Sequence, residues 1–110
     1  MSREQGQFLQ VITTIDSEEG ARHIARLAVE SHLAACAQVY GPVASVYRWQ
    51  EALEEATEWA CVIKTLAANY DALEHLIKVN HTYSVPEVLA VPVAAGSREY
   101  LNWLRQNATA

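Results

Sequence analysis

Two stretches decide the fold. The first is residues 35–49, Ala35-Cys36-Ala37-Gln38-Val39-Tyr40-Gly41-Pro42-Val43-Ala44-Ser45-Val46-Tyr47-Arg48-Trp49. The second is residues 57–65, Thr57-Glu58-Trp59-Ala60-Cys61-Val62-Ile63-Lys64-Thr65. Both are extended in character, and in the second Thr57, Trp59, Cys61, Ile63 and Thr65 alternate with Glu58, Ala60, Val62 and Lys64, the period of a strand. Gly41-Pro42 interrupts the first stretch where a bulge or bend tolerates a missing amide donor. With only the short acidic segment 50–55 between them, the two predict a long, bent β-hairpin.

Working outward, residues 8–15 (Phe8-Leu9-Gln10-Val11-Ile12-Thr13-Thr14-Ile15) read as a buried strand. The period then changes: Asp16 is the expected N-cap, Glu19 holds the reciprocal capping-box position, and Ala21, Ile24, Ala25 and Ala28 form a helical stripe that predicts a helix to about Leu33. Past the hairpin, Asn69 is the expected cap of a second helix carrying Tyr70, Leu73, Leu76 and Ile77. That helix ends near His81, because Pro86 forces Val85 to be extended. Residues 87–93 follow as a strand, with Pro92 confining that end to a sheet edge or beyond. Ser97 caps a last short helix bearing Tyr100, Trp103 and Leu104, and residues 106–110 read as a polar tail. The order strand, helix, strand, strand, helix, strand, plus a terminal helix, predicts an α+β fold of the ferredoxin-like βαββαβ type, with both helices on one face of an antiparallel sheet.

Size and composition bound the function. The 110 residues make one domain, 1–110, with an ordered core of about 8–105, and 51% hydrophobic content is ample for that core. Only 19% of residues are charged, which suggests that part of the surface is buried between subunits. A net charge of −5 disfavours nucleic acid and anionic membranes as partners. No signal peptide or membrane-length apolar run is present, and Cys36 and Cys61 form no C-x-x-C pair, so a reducing cytoplasm is the expected location.

The chemistry-bearing motifs are sparse. The four glycines are scattered, which excludes a standard phosphate loop, and no nucleophile elbow places a serine, so no catalytic residue is assigned and an enzyme is not expected. Cys36 and Cys61 read as strand residues packed in the core. Among His23, His32, His75 and His81, no two have the spacing of three or four that would put them on one helix face as ligands; Glu19 and His23 do have it, but as an incomplete set. His81 is the expected metal residue, with the capping of helix carbonyls as its alternative role. It lies in Asn80-His81-Thr82-Tyr83-Ser84-Val85-Pro86-Glu87, a loop that joins imidazole, phenol and carboxylate. Lys64, His81, Tyr83 and Glu87 are the expected lining of a cleft for a small polar or anionic ligand; the alternative makes Lys64 an edge-strand charge and Glu87 its exposed partner. Tyr47, Trp49 and Trp59 are the expected anchors of a subunit interface.

Five ordered blocks carry a more specific signal: Leu33-Ala34-Ala35-Cys36-Ala37, Ser45-Val46-Tyr47-Arg48-Trp49, Ile63-Lys64-Thr65, His81-Thr82-Tyr83-Ser84-Val85-Pro86-Glu87 and Tyr100-Leu101-Asn102-Trp103-Leu104. Together they resemble the CutA divalent-cation tolerance family over about residues 8–105. The resemblance implies a cytoplasmic homotrimer similar to the PII signalling proteins, with long hairpins exchanged around a threefold axis, and a role in tolerance to copper and other divalent cations. It also implies a copper site made of one cysteine and two adjacent histidines. These positions are Thr13, Asn80 and His81 here, so one of three donors is retained, and no cofactor is expected beyond weakly held Cu(II) or another divalent cation. The alternative is a trimeric small-molecule sensor or scaffold of PII-like architecture with no physiological metal site. By fold alone, an RNA-binding ferredoxin-like domain is the remaining reading, and the charge argues against it.

Overall fold

The computed structural model describes residues 7–109; the polar segment 1–6 and residue 110 lie outside them. The elements run β1 (Phe8–Ile15), α1 (Glu18–Glu30), β2 (Cys36–Trp49), β3 (Ala52–Leu66), α2 (Tyr70–Val79), β4 (Leu89–Pro92) and α3 (Arg98–Asn107). The sheet order is β2-β3-β1-β4 with every neighbouring pair antiparallel, the ferredoxin-like arrangement expected from the sequence. β4 is the short edge strand that Pro92 required, spanning four residues where residues 87–93 were expected.

Alternation divides the sheet into two faces. Val11, Ile15, Cys61 and Ile63 turn toward the helices and are fully buried against Ala21, Ile24 and Ala28 of α1 and Leu73 and Ile77 of α2. Each valine, isoleucine or leucine among them contributes about 1.5–3 kcal/mol by leaving water. A second cluster, Phe8, Ala35, Leu104 and Ala108, packs α3 against the start of β1. The other face, which carries Ile12, Val62, Tyr40, Leu89 and Val91, is covered by α3 only at its Phe8 end. Leu89 and Val91 are 59% and 47% exposed.

The hairpin is long and bent, as expected. β2 and β3 pair from Cys36↔Lys64 to Trp49↔Ala52, with a bulge between Tyr40 and Val43 at the cis Gly41-Pro42 step. The link is tighter than the acidic segment 50–55 suggested: only Gln50 and Glu51 lie outside the strands, both at positive φ (50° and 68°), the conformation that closes a two-residue hairpin.

Several local expectations are corrected. Ser17, not Asp16, caps α1, accepting from the Gly20 amide at 3.0 Å. The helix stops at Glu30, short of Leu33, because His32 takes a left-handed φ of 62°. Asn69 does not cap α2; its amide donates to the carbonyls of Leu33 and Ala108, tying three parts of the chain together. Residues 106–109 are no free tail either, since α3 continues to Asn107 and Ala108 is fully buried.

Candidate functional site

The chain between α2 and β4 folds back over the sheet face opposite α1 and α2, at the far end of β1 from α3, and is stapled there by five side-chain hydrogen bonds, one of them within the loop itself. His81 Nε2 lies 2.8 Å from the Thr14 carbonyl, and His81 Nδ1 accepts the Tyr83 amide at 3.0 Å. Because a carbonyl only accepts, Nε2 carries the proton and Nδ1 is the acceptor, so both ring nitrogens are engaged. Thr82 Oγ1 donates to Asp16 at 3.2 Å, and Thr14 Oγ1 to Glu87 at 3.3 Å. The Tyr83 hydroxyl completes the set by donating to Glu58 Oε2 of β3 at 2.7 Å.

This staple bounds a cavity of about 580 Å³, within the range of small-molecule sites. Its polar wall is Thr14, Ser45, Glu58, Tyr83, Ser84 and Glu87, and its apolar wall is Val46, Tyr47, Trp49 and Val85. Glu58 is only 6% exposed. Burial first, then the hydrogen bond to Glu58 and its charge, hold the Tyr83 phenol well above its ordinary pKa of 10.0.

The predicted residues are therefore brought together only in part. Tyr83 and Glu87 line the cavity, whereas His81 stands behind it as a brace. Lys64 does not reach it within one chain: it hydrogen-bonds Gln38, and six residues of β3, roughly 20 Å at about 3.3 Å per residue, separate it from Glu58. Tyr47 and Trp49 are 44% and 50% exposed on the hairpin, whereas Trp59 turns to the helix side, partly buried against the core and close to Gly41. Sequence reasoning missed Glu58, Thr14 and Ser45. An acid on an alternating strand reads as solvent-facing, and what buries Glu58 is a tyrosine 25 residues further along the chain.

A copper centre of the expected kind does not fit these residues. Thr13 Oγ1 is fully buried and without a hydrogen-bond partner, Asn80 Nδ2 donates back to the Leu76 carbonyl at 2.9 Å, and the acceptor nitrogen of His81 is held by Tyr83. Among the described residues no three His, Cys, Asp or Glu side chains gather as a ligand set. Cys36 and Cys61 are free thiols, and burial pushes Cys61 up to about 12.

The fold and the cavity define a small α+β domain of ferredoxin-like topology with a projecting hairpin and a ligand-sized recess walled by carboxylates and aromatic rings. The family described as CutA1 divalent ion tolerance protein matches residues 9–107, and the chain belongs to that family. It is 44% identical to the divalent-cation tolerance protein CutA of Thermus thermophilus over 97 residues, 88% of this chain and 94% of that one. It is 38% identical to human Protein CutA over 101 residues, 92% of this chain but 56% of the human protein. The solved Thermus structure superposes with a TM-score of 0.91, covering 93% of this chain and 99% of that one at 42% identity. CutA1 from Oryza sativa gives 0.91 at 32% identity, covering 96% and 97%. The family description names no enzymatic activity.

Proposed function

We propose that this protein serves divalent-cation tolerance as a cytoplasmic, non-catalytic homotrimer whose subunits meet over the exposed part of the sheet face opposite α1 and α2, and over the hairpin. The observation that carries the assembly is exposed apolar surface. Tyr40, Val46, Tyr47, Trp49 and Leu53 are each between 44 and 66% exposed on a two-stranded ribbon that outruns its own helices. Such a ribbon is marginal alone, and a patch of this kind marks a contact with another chain. The free cysteines agree with a reducing compartment, and no helix among the described residues is long and apolar enough to cross a membrane.

Light scattering tests the assembly. The expected mass is three times 12.2 kDa at micromolar concentration, and a single-chain mass overturns it. Trp49→Ala is expected to weaken association by about 2 kcal/mol or more.

A second reading is favoured by the cavity itself: a PII-like sensor in which a small molecule, and no resident metal, is the signal. Cu(II) at His81 would have to displace the Tyr83 amide, so metal binding there is expected to be weak, and calorimetry with wild type and His81→Ala measures it.

A further inference from the structure

Glu58 is the unusual residue of the cavity. At 6% exposure it is buried, its hydrogen bond comes from the neutral Tyr83 phenol, and neither ion pair among the described residues, Arg22 with Glu18 or Lys78 with Glu74, involves it. A carboxylate taken this far out of water calls for a cation beside it. The cavity that Glu58 lines has a second carboxylate, Glu87, and no lysine, arginine or histidine in its wall.

The wall also sorts the candidates by chemistry. An anion would meet two carboxylates. A neutral ligand would leave Glu58 without a countercharge. A bare divalent ion needs more donors than are gathered here, since no three ligating side chains converge among the described residues. An organic ammonium ion needs a carboxylate for its charge and aromatic faces for its methylene or methyl groups, and Tyr47, Trp49 and Tyr83 provide those faces in the same wall.

We propose that this cavity binds a small organic ammonium ion, its charge held between Glu58 and Glu87 and its carbon skeleton laid against Tyr47 and Trp49. The proposal rests on the reading of the cavity as a small-molecule site and reverses the ligand charge expected from the sequence, because Lys64 lies elsewhere on the sheet.

Three probes of equal length test it: n-butylammonium, butan-1-ol and butyrate, titrated at neutral pH into isotope-labelled wild-type protein while the Trp49 indole and Tyr83 amide signals are followed by NMR. Butylammonium is expected to saturate, binding at least about tenfold tighter than butan-1-ol, with no response to butyrate. Glu58→Gln keeps an acceptor for the Tyr83 hydroxyl and is expected to lose about tenfold in butylammonium affinity at unchanged particle mass and melting temperature. Equal binding of the alcohol, or an unchanged Glu58→Gln, overturns the proposal. Binding of butyrate alone leaves a ligand cleft but overturns its charge. No binding by any probe overturns the cleft and the charge together. If Glu58→Gln then also lowers the particle mass, the cation facing Glu58 is a side chain of a neighbouring copy.

Discussion

The base and the tip of the hairpin are built from the same materials and meet different fates. At the base, residues 36–40 pair with 60–64, and every second side chain, Ala37, Val39, Cys61 and Ile63, packs against the helices. At the tip, residues 43–49 pair with 52–58 and no helix follows, so Val46 and Leu53 stand 60% and 66% exposed. Strand propensity and alternation specify extended backbone in both halves, but they do not specify what the apolar side will touch. The base is finished by its own chain, whereas the tip stabilises only what comes to it.

Truncating one aliphatic side chain in each half gives the largest expected contrast. Ile63→Ala should cost about 2–5 kcal/mol in urea unfolding, because a fully buried side chain leaves a cavity. Leu53→Ala should change the unfolding of the isolated chain by no more than about 0.5 kcal/mol. Equal costs would erase the distinction. The junction of the two halves comes next. A Cβ at Gly41 would collide with the Trp59 indole, so Gly41→Ala must displace the ring and should cost about 1–3 kcal/mol. A neutral result would mean that the bend yields freely.

The smallest expected effect sharpens the account of Glu58, the buried carboxylate of the tip, and its partly buried partner Tyr83. Tyr83→Phe should cost about 1 kcal/mol at neutral pH by removing the hydrogen bond to Glu58. It also has a pH signature. The phenol's pKa is raised in the folded state, so its stabilisation is complete below the ordinary value of 10.0 and is lost as pH rises above it. The Cys61 thiol acts in the same direction between 9.0 and about 12. Tyr83→Phe should therefore flatten part of the alkaline loss of stability, and Cys61→Ala the part that begins near 9. An unaltered alkaline profile in Tyr83→Phe would detach Tyr83 from Glu58.

What the sequence made legible was whatever depends on period: the hairpin, both sheet-covering helices, the edge position forced by Pro92, and the order that yields this topology. Choices between neighbours of like chemistry were not legible. Asp16 and Ser17 are both good cap residues; Ser17 caps, and Asp16 accepts from Thr82. The Gln50-Glu51 turn lacks the Asn or Gly that announces positive φ. In the site, the loop from Asn80 to Glu87 was visible by composition, but its partners Thr14 and Glu58 were not, since contacts across such chain separations leave no local pattern.

The placement of Asn69 has a consequence in time. Its amide holds the carbonyls of Leu33 and Ala108 at once, and Ala108 lies with Leu104 against Phe8 at the start of the strand that pairs with both β3 and β4. During synthesis β1 and the hairpin emerge first, yet β1 lacks one neighbour until β4 follows, and Phe8 lacks its cover until α3 does. A nascent chain that has not yet made α3 thus carries a sheet whose Phe8 end is open to water. Vectorial synthesis therefore completes the Phe8 end of the sheet last, while the apolar tip of the hairpin is available from the moment it is made.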